Sequence, residues 1–150
     1  MNLRTKKFSP LFIPTILAVF LFIGFMSGVN ADDKKHHLVI QVSTDDVRTQ
    51  KIAMNNAVNL QKLYGVDNVE IEIVAYGPGL KMLIGKSEHA SRVTSLALQD
   101  ITFSACANTM NHMKKKSGKM PVLTEGVGTV TAGVARIMEL QEQGYSYIRP

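Results

Sequence analysis

The sequence holds one cysteine, Cys106, in 150 residues. A lone cysteine excludes an internal disulfide. Its thiol is left to bridge another chain, to pack as an inert core atom, or to react. A strong charge of either sign is also missing. Arg4, Lys6 and Lys7 supply much of the formal +5, and without them the rest of the chain is near about +2, too mild to point to nucleic acid or an anionic membrane surface. Neither GxxxxGK[ST] nor GxGxxG occurs, which removes the two common phosphate-cradling loops. There is no internal repeat and no low-complexity tract. The long apolar run of a membrane span is lacking too. Leu11 to Phe25 is the nearest approach, but it is short and holds Pro14 and Gly24, whereas a span wants about 20 apolar residues.

That run has a different reading. Three basic residues precede it and the small-residue stretch Val29-Asn30-Ala31 follows it. This is the layout of a secretory signal peptide. Residues 1–31 are expected to be removed after Ala31, which sends the mature chain to the periplasm or outside the cell. The alternative keeps them as an uncleaved anchor, the one route by which the chain would meet a membrane. What remains is a polar leader, residues 32–37, followed by one domain, residues 38–150, long enough to bury a core. His36 and His37 in the leader have no third metal ligand near them in sequence, so they read as a solvated tail.

Strand and helix patterns alternate through the domain. Leu38 to Val42 is apolar at nearly every position, as in a central strand covered on both faces. Ser43-Thr44-Asp45-Asp46 offers caps to a helix that runs to Tyr64 and stops at Gly65. Val69 to Ala75 begins by alternating apolar with acidic residues, which suggests a wet face and an edge position. Tyr76-Gly77-Pro78-Gly79-Leu80 is a sharp turn whose two glycines also let backbone approach a ligand. Ser87 is placed as the cap of a second helix with Val93, Leu96 and Ala97 inward, and His89 in its exposed first turn. Gly126 to Val130 and Tyr145 to Ile148 read as short strands. Between them Thr131 caps a last helix that turns Val134, Ile137 and Met138 inward. Such alternation gives an α/β fold: a single flavodoxin-like domain with a five-stranded parallel sheet, order 2-1-3-4-5, and helices on both faces.

The remaining stretch carries the chemistry. Ile101 to Phe103 suits a strand. Ala107 to Lys116 has good helix formers and no glycine or proline. Cys106 falls at the changeover, at the carboxyl end of a strand and the electropositive amino end of a helix, where thiolate is favoured over thiol. In the 2-1-3-4-5 order this point faces the crevice beside strand 1. The candidate site is therefore Cys106 as the reactive group, with Ser43, Thr44, Gly77, Gly79 and Asn108 around a bound ligand. The competing reading packs Cys106 as a small core residue. Cys106, Met110 and Met113 also share a helix face, a soft donor set that would suit Cu(I), although core packing needs the same spacing. The residues imply no cofactor and no resident metal.

Three segments carry a resemblance: Ala75-Tyr76-Gly77-Pro78-Gly79-Leu80, Phe103-Ser104-Ala105-Cys106-Ala107-Asn108-Thr109, and the ending Leu140-Gln141-Glu142-Gln143-Gly144-Tyr145-Ser146-Tyr147-Ile148-Arg149-Pro150. With them the domain resembles the DsrE/DsrF-like sulfur-relay family over nearly its whole length. The resemblance implies a flavodoxin-like subunit assembled as a homotrimer or homohexamer. It also implies a cysteine after the third strand, here Cys106, that accepts sulfane sulfur as a persulfide and passes it on. The partners would be further copies of the chain and a sulfur donor and acceptor, protein or small compound. The other function in view is a non-catalytic oligomeric binding or assembly module in sulfur or redox metabolism, with Cys106 structural. Protein recovered from the cell envelope is expected to begin at Asp32. An intact mass that retains residues 1–31 would instead establish the anchor.

Overall fold

The computed structural model describes residues 35–150. The proposed signal peptide and the cleavage point after Ala31 lie outside them. Five strands, β1 (His36–Val42), β2 (Val69–Ala75), β3 (Ile101–Cys106), β4 (Val127–Val130) and β5 (Ser146–Ile148), form one sheet. Every strand pairing in it is parallel. Four α-helices connect or follow them: α1 (Val47–Tyr64), α2 (Ala90–Ala97), α3 (Ala107–Ser117) and α4 (Gly133–Glu142). The Gly77–Leu83 stretch forms a 3-10 segment between β2 and α2. Among the described residues no helix is long and apolar enough to cross a membrane.

The α/β class and the five-stranded parallel sheet follow the sequence pattern, but the flavodoxin-like order does not hold. The order is β4-β3-β2-β1-β5, not 2-1-3-4-5. Strands β1 to β4 step steadily in one direction, and only the final crossover through α4 returns the chain to the free side of β1. Right-handed parallel crossovers that step one way put their helices on one face, and the single reversed step puts α4 on the other. The core divides accordingly. On one face Ile40, Ile71, Ile73 and Phe103 pack with Ala53, Met54 and Ala57 of α1, Val93 and Leu96 of α2, and Met110 of α3. On the other, Val39 and Val74 meet Ile137 and Leu140 of α4.

This arrangement corrects several local expectations. Strand β2 is interior, between β1 and β3. Its acidic alternation marks the α4 face, where Glu72 is buried in an ion pair, and not a wet edge. Strand β1 begins two residues earlier than its apolar run, with His36 opposite Val69 and His37 opposite Glu70. His36 stacks on Tyr64, with ring centroids 4.0 Å apart, so neither histidine belongs to a loose leader. His89 is buried just ahead of α2 instead of riding its exposed first turn. Neither Ser87 nor Thr131 caps a helix with its side chain. In α4 only Ile137 of the three expected inward residues is buried. Val134 and Met138 face outward and Leu140 takes the inner position.

Helix α1 is capped by Asp46, whose carboxylate accepts from the Thr49 amide at 2.7 Å, and it ends at Gly65. Helix α3 ends at Gly118 in a left-handed conformation, with Lys114, Lys115 and Lys116 in its last turn, where positive charge suits the carboxyl end of the dipole. Phe103 is among the largest fully buried side chains and sits in β3, three residues before Cys106. Replacing it with alanine is expected to cost about 3–5 kcal/mol through lost transfer energy and a residual cavity. Urea unfolding followed by circular dichroism measures that loss.

Candidate functional site

Side chains alternate along β3, so Ile101, Phe103 and Ala105 face the larger core while Ser104 and Cys106 face the α4 side. Cys106 is the last residue of β3 and, at the same time, the N-cap of α3. Its partner across the sheet is Val130, the last residue of β4. Helix α4 begins three residues after Val130, at Gly133. Two helix amino ends are thereby brought to one sulfur atom. The hydroxyl and amide of Thr109 and the amides of Gly133 and Asn108 lie close around the sulfur.

The surroundings are tied together by the loops of neighbouring strands. The amide of Gly77, at the end of β2, donates to Thr109 Oγ1 at 2.9 Å. The hydroxyl hydrogen of Thr109 is then free to point at the sulfur. Gly77 has φ of 54°, a region that favours glycine. The Asn108 amide also meets the Thr131 carbonyl at 3.3 Å, which ties α3 to the β4–α4 loop. Gly133 leaves room for Tyr76, since a Cβ there would come within 2.9 Å of the ring.

Burial works against the thiolate here, and the donor groups around the sulfur work for it. The desolvation effect is the largest single one and raises the thiol's pKa. The Thr109 hydroxyl, with the amides of Thr109, Gly133 and Asn108, outweighs it, and the net result is a pKa below the ordinary cysteine value. Amide groups at helix amino ends are suited to holding such an anion. Cys106 keeps 5% of its surface exposed, so a reagent must come close to the protein to meet it. The sulfur is enclosed by polar donors and does not pack among apolar neighbours alone.

The other residues named from sequence are distributed as follows. Gly77 reaches the thiol through Thr109. Asn108 contributes its backbone amide, while its side chain is exposed. Gly79 lies against the end of β1, where any Cβ would run into the Val42 carbonyl, so it sets the approach of the turn to that strand. Ser43 and Thr44 follow β1, and β2 lies between β1 and β3, a separation of roughly 9.5 Å at the usual strand spacing. Their hydrogen bonds are to Gln41, Asp46 and Gln50. The β1–β3 crevice expected from the flavodoxin order is absent because those strands are not neighbours. Met110 and Met113 pack into the larger core, away from the side that Cys106 faces, so the soft donor set is not assembled. Among the described residues no group of three or more His, Cys, Asp or Glu side chains is placed to hold a metal ion.

A cavity of about 620 Å³ lies elsewhere, lined by His36, Asn56, Asn59, Tyr64, Val69 and Ile148 among others. It opens toward the first residues of β1 and β2, while Cys106 sits at the opposite, carboxyl ends of the strands.

Thr109 and Gly133 were not legible as site residues. The spacing Cys106-x-x-Thr109 is the signal that could have found the first. The third residue after an N-cap is the one whose amide and side chain turn back to the cap. Gly133 comes from a helix 27 positions on, and no local pattern announces it.

Fold and site together define a small parallel α/β protein with a cysteine at converging helix amino ends. The profile of the DsrE/DsrF-like family matches residues 36–150, and the chain belongs to that family. A solved structure similar to it is MTH1491 of Methanobacterium thermoautotrophicum, a protein of unknown function. It is 33% identical, with a TM-score of 0.70 over 77% of this chain and 100% of that one. No curated protein matches.

Two measurements check the electrostatics. Thr109→Val removes the hydroxyl donor, and the alkylation rate at neutral pH is expected to fall about threefold to tenfold, the net worth of one typical hydrogen bond. Stability should also depend on pH. The folded thiol ionises at lower pH than the unfolded one, so the unfolded chain binds more protons between the two values. Relative to Cys106→Ala, the protein is expected to gain stability as pH rises through that window. The gain is complete above the unfolded pKa and lost as pH falls through the folded one.

Proposed function

We propose that this protein is an exported sulfur carrier that holds sulfane sulfur as a persulfide on Cys106. Membership in the DsrE/DsrF-like family supports sulfur relay at the family level. The observation that carries the finer reading is the place of Cys106, last residue of β3 and N-cap of α3, in register with the strand end that leads into α4. The thiolate attacks the outer sulfur of a sulfane donor such as thiosulfate. A sulfur–sulfur bond forms to Cys106 as the donor's own sulfur–sulfur bond breaks, and sulfite leaves with the electron pair. No external oxidant or reductant is needed. The terminal sulfur of the persulfide is then open to attack by an acceptor thiolate, which restores Cys106 as the leaving thiolate. The amides at the two helix ends stabilise the anion at each stage. In this reading Ser43, Thr44, Gly77, Gly79 and Asn108 border the approach of donor or acceptor along the carboxyl ends of the strands.

Self-assembly into a trimer or hexamer belongs to the same proposal. Val134 and Met138, exposed one turn apart on α4, supply an apolar surface for it. The second reading, a binding or assembly module with Cys106 structural, is favoured by the thiol's small exposure.

One experiment separates the two. Mature protein incubated with thiosulfate or polysulfide is expected to gain about 32 Da per sulfur by intact mass, reversible by a thiol reductant as a persulfide is. Cys106→Ser is expected to lose that uptake while keeping its circular dichroism and its size on gel filtration. Absence of uptake by a thiol that iodoacetamide still alkylates would establish the binding module. Unfolding of the serine variant would make the cysteine structural.

A further inference from the structure

Gly133 can face the sulfur only if the amino end of α4 stays where it is, and α4 is held to its face of the sheet by few apolar contacts. Ile137 and Leu140 are its buried apolar side chains, and Val134 and Met138 point away from the sheet. The first turn, where Gly133 lies, has a polar fastening instead. Arg136 reaches β2 and forms a forked pair with Glu72, Nε to Oε1 at 3.0 Å and Nη2 to Oε2 at 2.7 Å. Glu72 is 4% exposed and also accepts from the buried Ser104 hydroxyl at 2.6 Å. Ser104 is two residues before Cys106 on the same strand and the same face. The Arg136 amide closes the first turn of α4 on the Ala132 carbonyl at 3.0 Å. A continuous polar chain therefore runs from β3 through β2 to the turn that carries Gly133.

We infer that Arg136 and Glu72 are positioning residues for Cys106: their forked pair fixes the first turn of α4, so that its amino end stays beside the strand end that carries the thiol. Two parallel N–H···O bonds fix direction as well as distance, which a lysine in the same place would not do. The ammonium of a lysine would keep the charge and lose the fork. The other charged and titratable groups around Arg136 are Glu139 on its own helix, with an oxygen 3.7 Å from Nη1, and Tyr145 beyond the end of α4. The Tyr145 hydroxyl donates to Glu70 of β2 and is raised above its usual range by burial and that bond. Arg136 stays charged throughout, since its bonds to Glu72 raise it further.

The inference rests on the reading of Cys106 as a reactive thiolate, but not on its carrying sulfur, and the test reads ionisation directly. The pH profile of iodoacetamide alkylation is measured for the intact mature protein, Glu72→Gln, Arg136→Lys and Ser104→Ala, with circular dichroism to establish folding. Glu72→Gln separates positioning from simple charge. Removing a negative group on the Cys106 face would by Coulomb's law move the profile's midpoint down. Loosening of α4 moves it up. The expected result is an upward move in both Glu72→Gln and Arg136→Lys, with alkylation at neutral pH slowed about threefold or more. Ser104→Ala, which removes one bond from Glu72 and no charge, should give a smaller move in the same direction. If Glu72→Gln does not fold, Arg136→Lys and Ser104→Ala carry the test. Midpoints that stay in place or move down in the folded variants overturn the inference. A protein that alkylates as described but takes up no sulfur would refute the carrier proposal and leave this one standing.

Discussion

A thiol buried to 5% exposure ionises below its usual range only if donors replace the water its anion would lose. At Cys106 they come from four N–H and O–H groups on two helices, and the rest of the fold can be understood as what brings them there. Parallel strands place all their carboxyl ends at one edge of the sheet, so the helices that follow begin at that edge. Strands β3 and β4 are neighbours in register, Cys106 opposite Val130. That register brings the start of α4 to the start of α3. Had β4 slipped by one residue, Gly133 would point elsewhere and the sulfur would lose one of its donors.

Two kinds of contact keep the geometry. The apolar face packed by α1, α2 and α3 is broad and holds the strands. The opposite face is thinly covered, with a small apolar cluster under α4 and, beside it, buried Glu72 and Ser104 joined to the half-buried Arg136. A buried ion pair contributes little net stability against an apolar replacement, because desolvation offsets much of the attraction. What it supplies is direction. It is therefore reasonable physics that the polar group lies on the side where a single amide must be aimed, and the apolar bulk lies on the side where only cohesion is needed.

Much of this was legible in the sequence, for identifiable reasons. The nearly continuous apolar run from Leu38 to Val42 did mark an interior strand, and Gly65 did end a helix. The position of Cys106 between strand and helix followed from local propensities on either side of it. The strand order was not legible, because it depends on where the last crossover lands, and nothing in β5's three residues says which edge they will join. The acids of β2 misled for a related reason. Alternation records a change of face, but not whether water or an arginine waits there, and Arg136 is 64 residues away from Glu72. Thr109 lay within reach of a capping argument. Gly133 did not, since a donor supplied by a distant backbone leaves no trace in side-chain pattern.

One consequence follows from Cys106 being strand end and helix cap at once. Its main chain is fixed on one side by the β3–β4 ladder and on the other by the first turn of α3. Cargo-bearing groups elsewhere in biochemistry ride long flexible tethers that swing between stations. This sulfur has no such arm: its berth is stationary, and any reactant that meets it has to dock against the molecule and reach in.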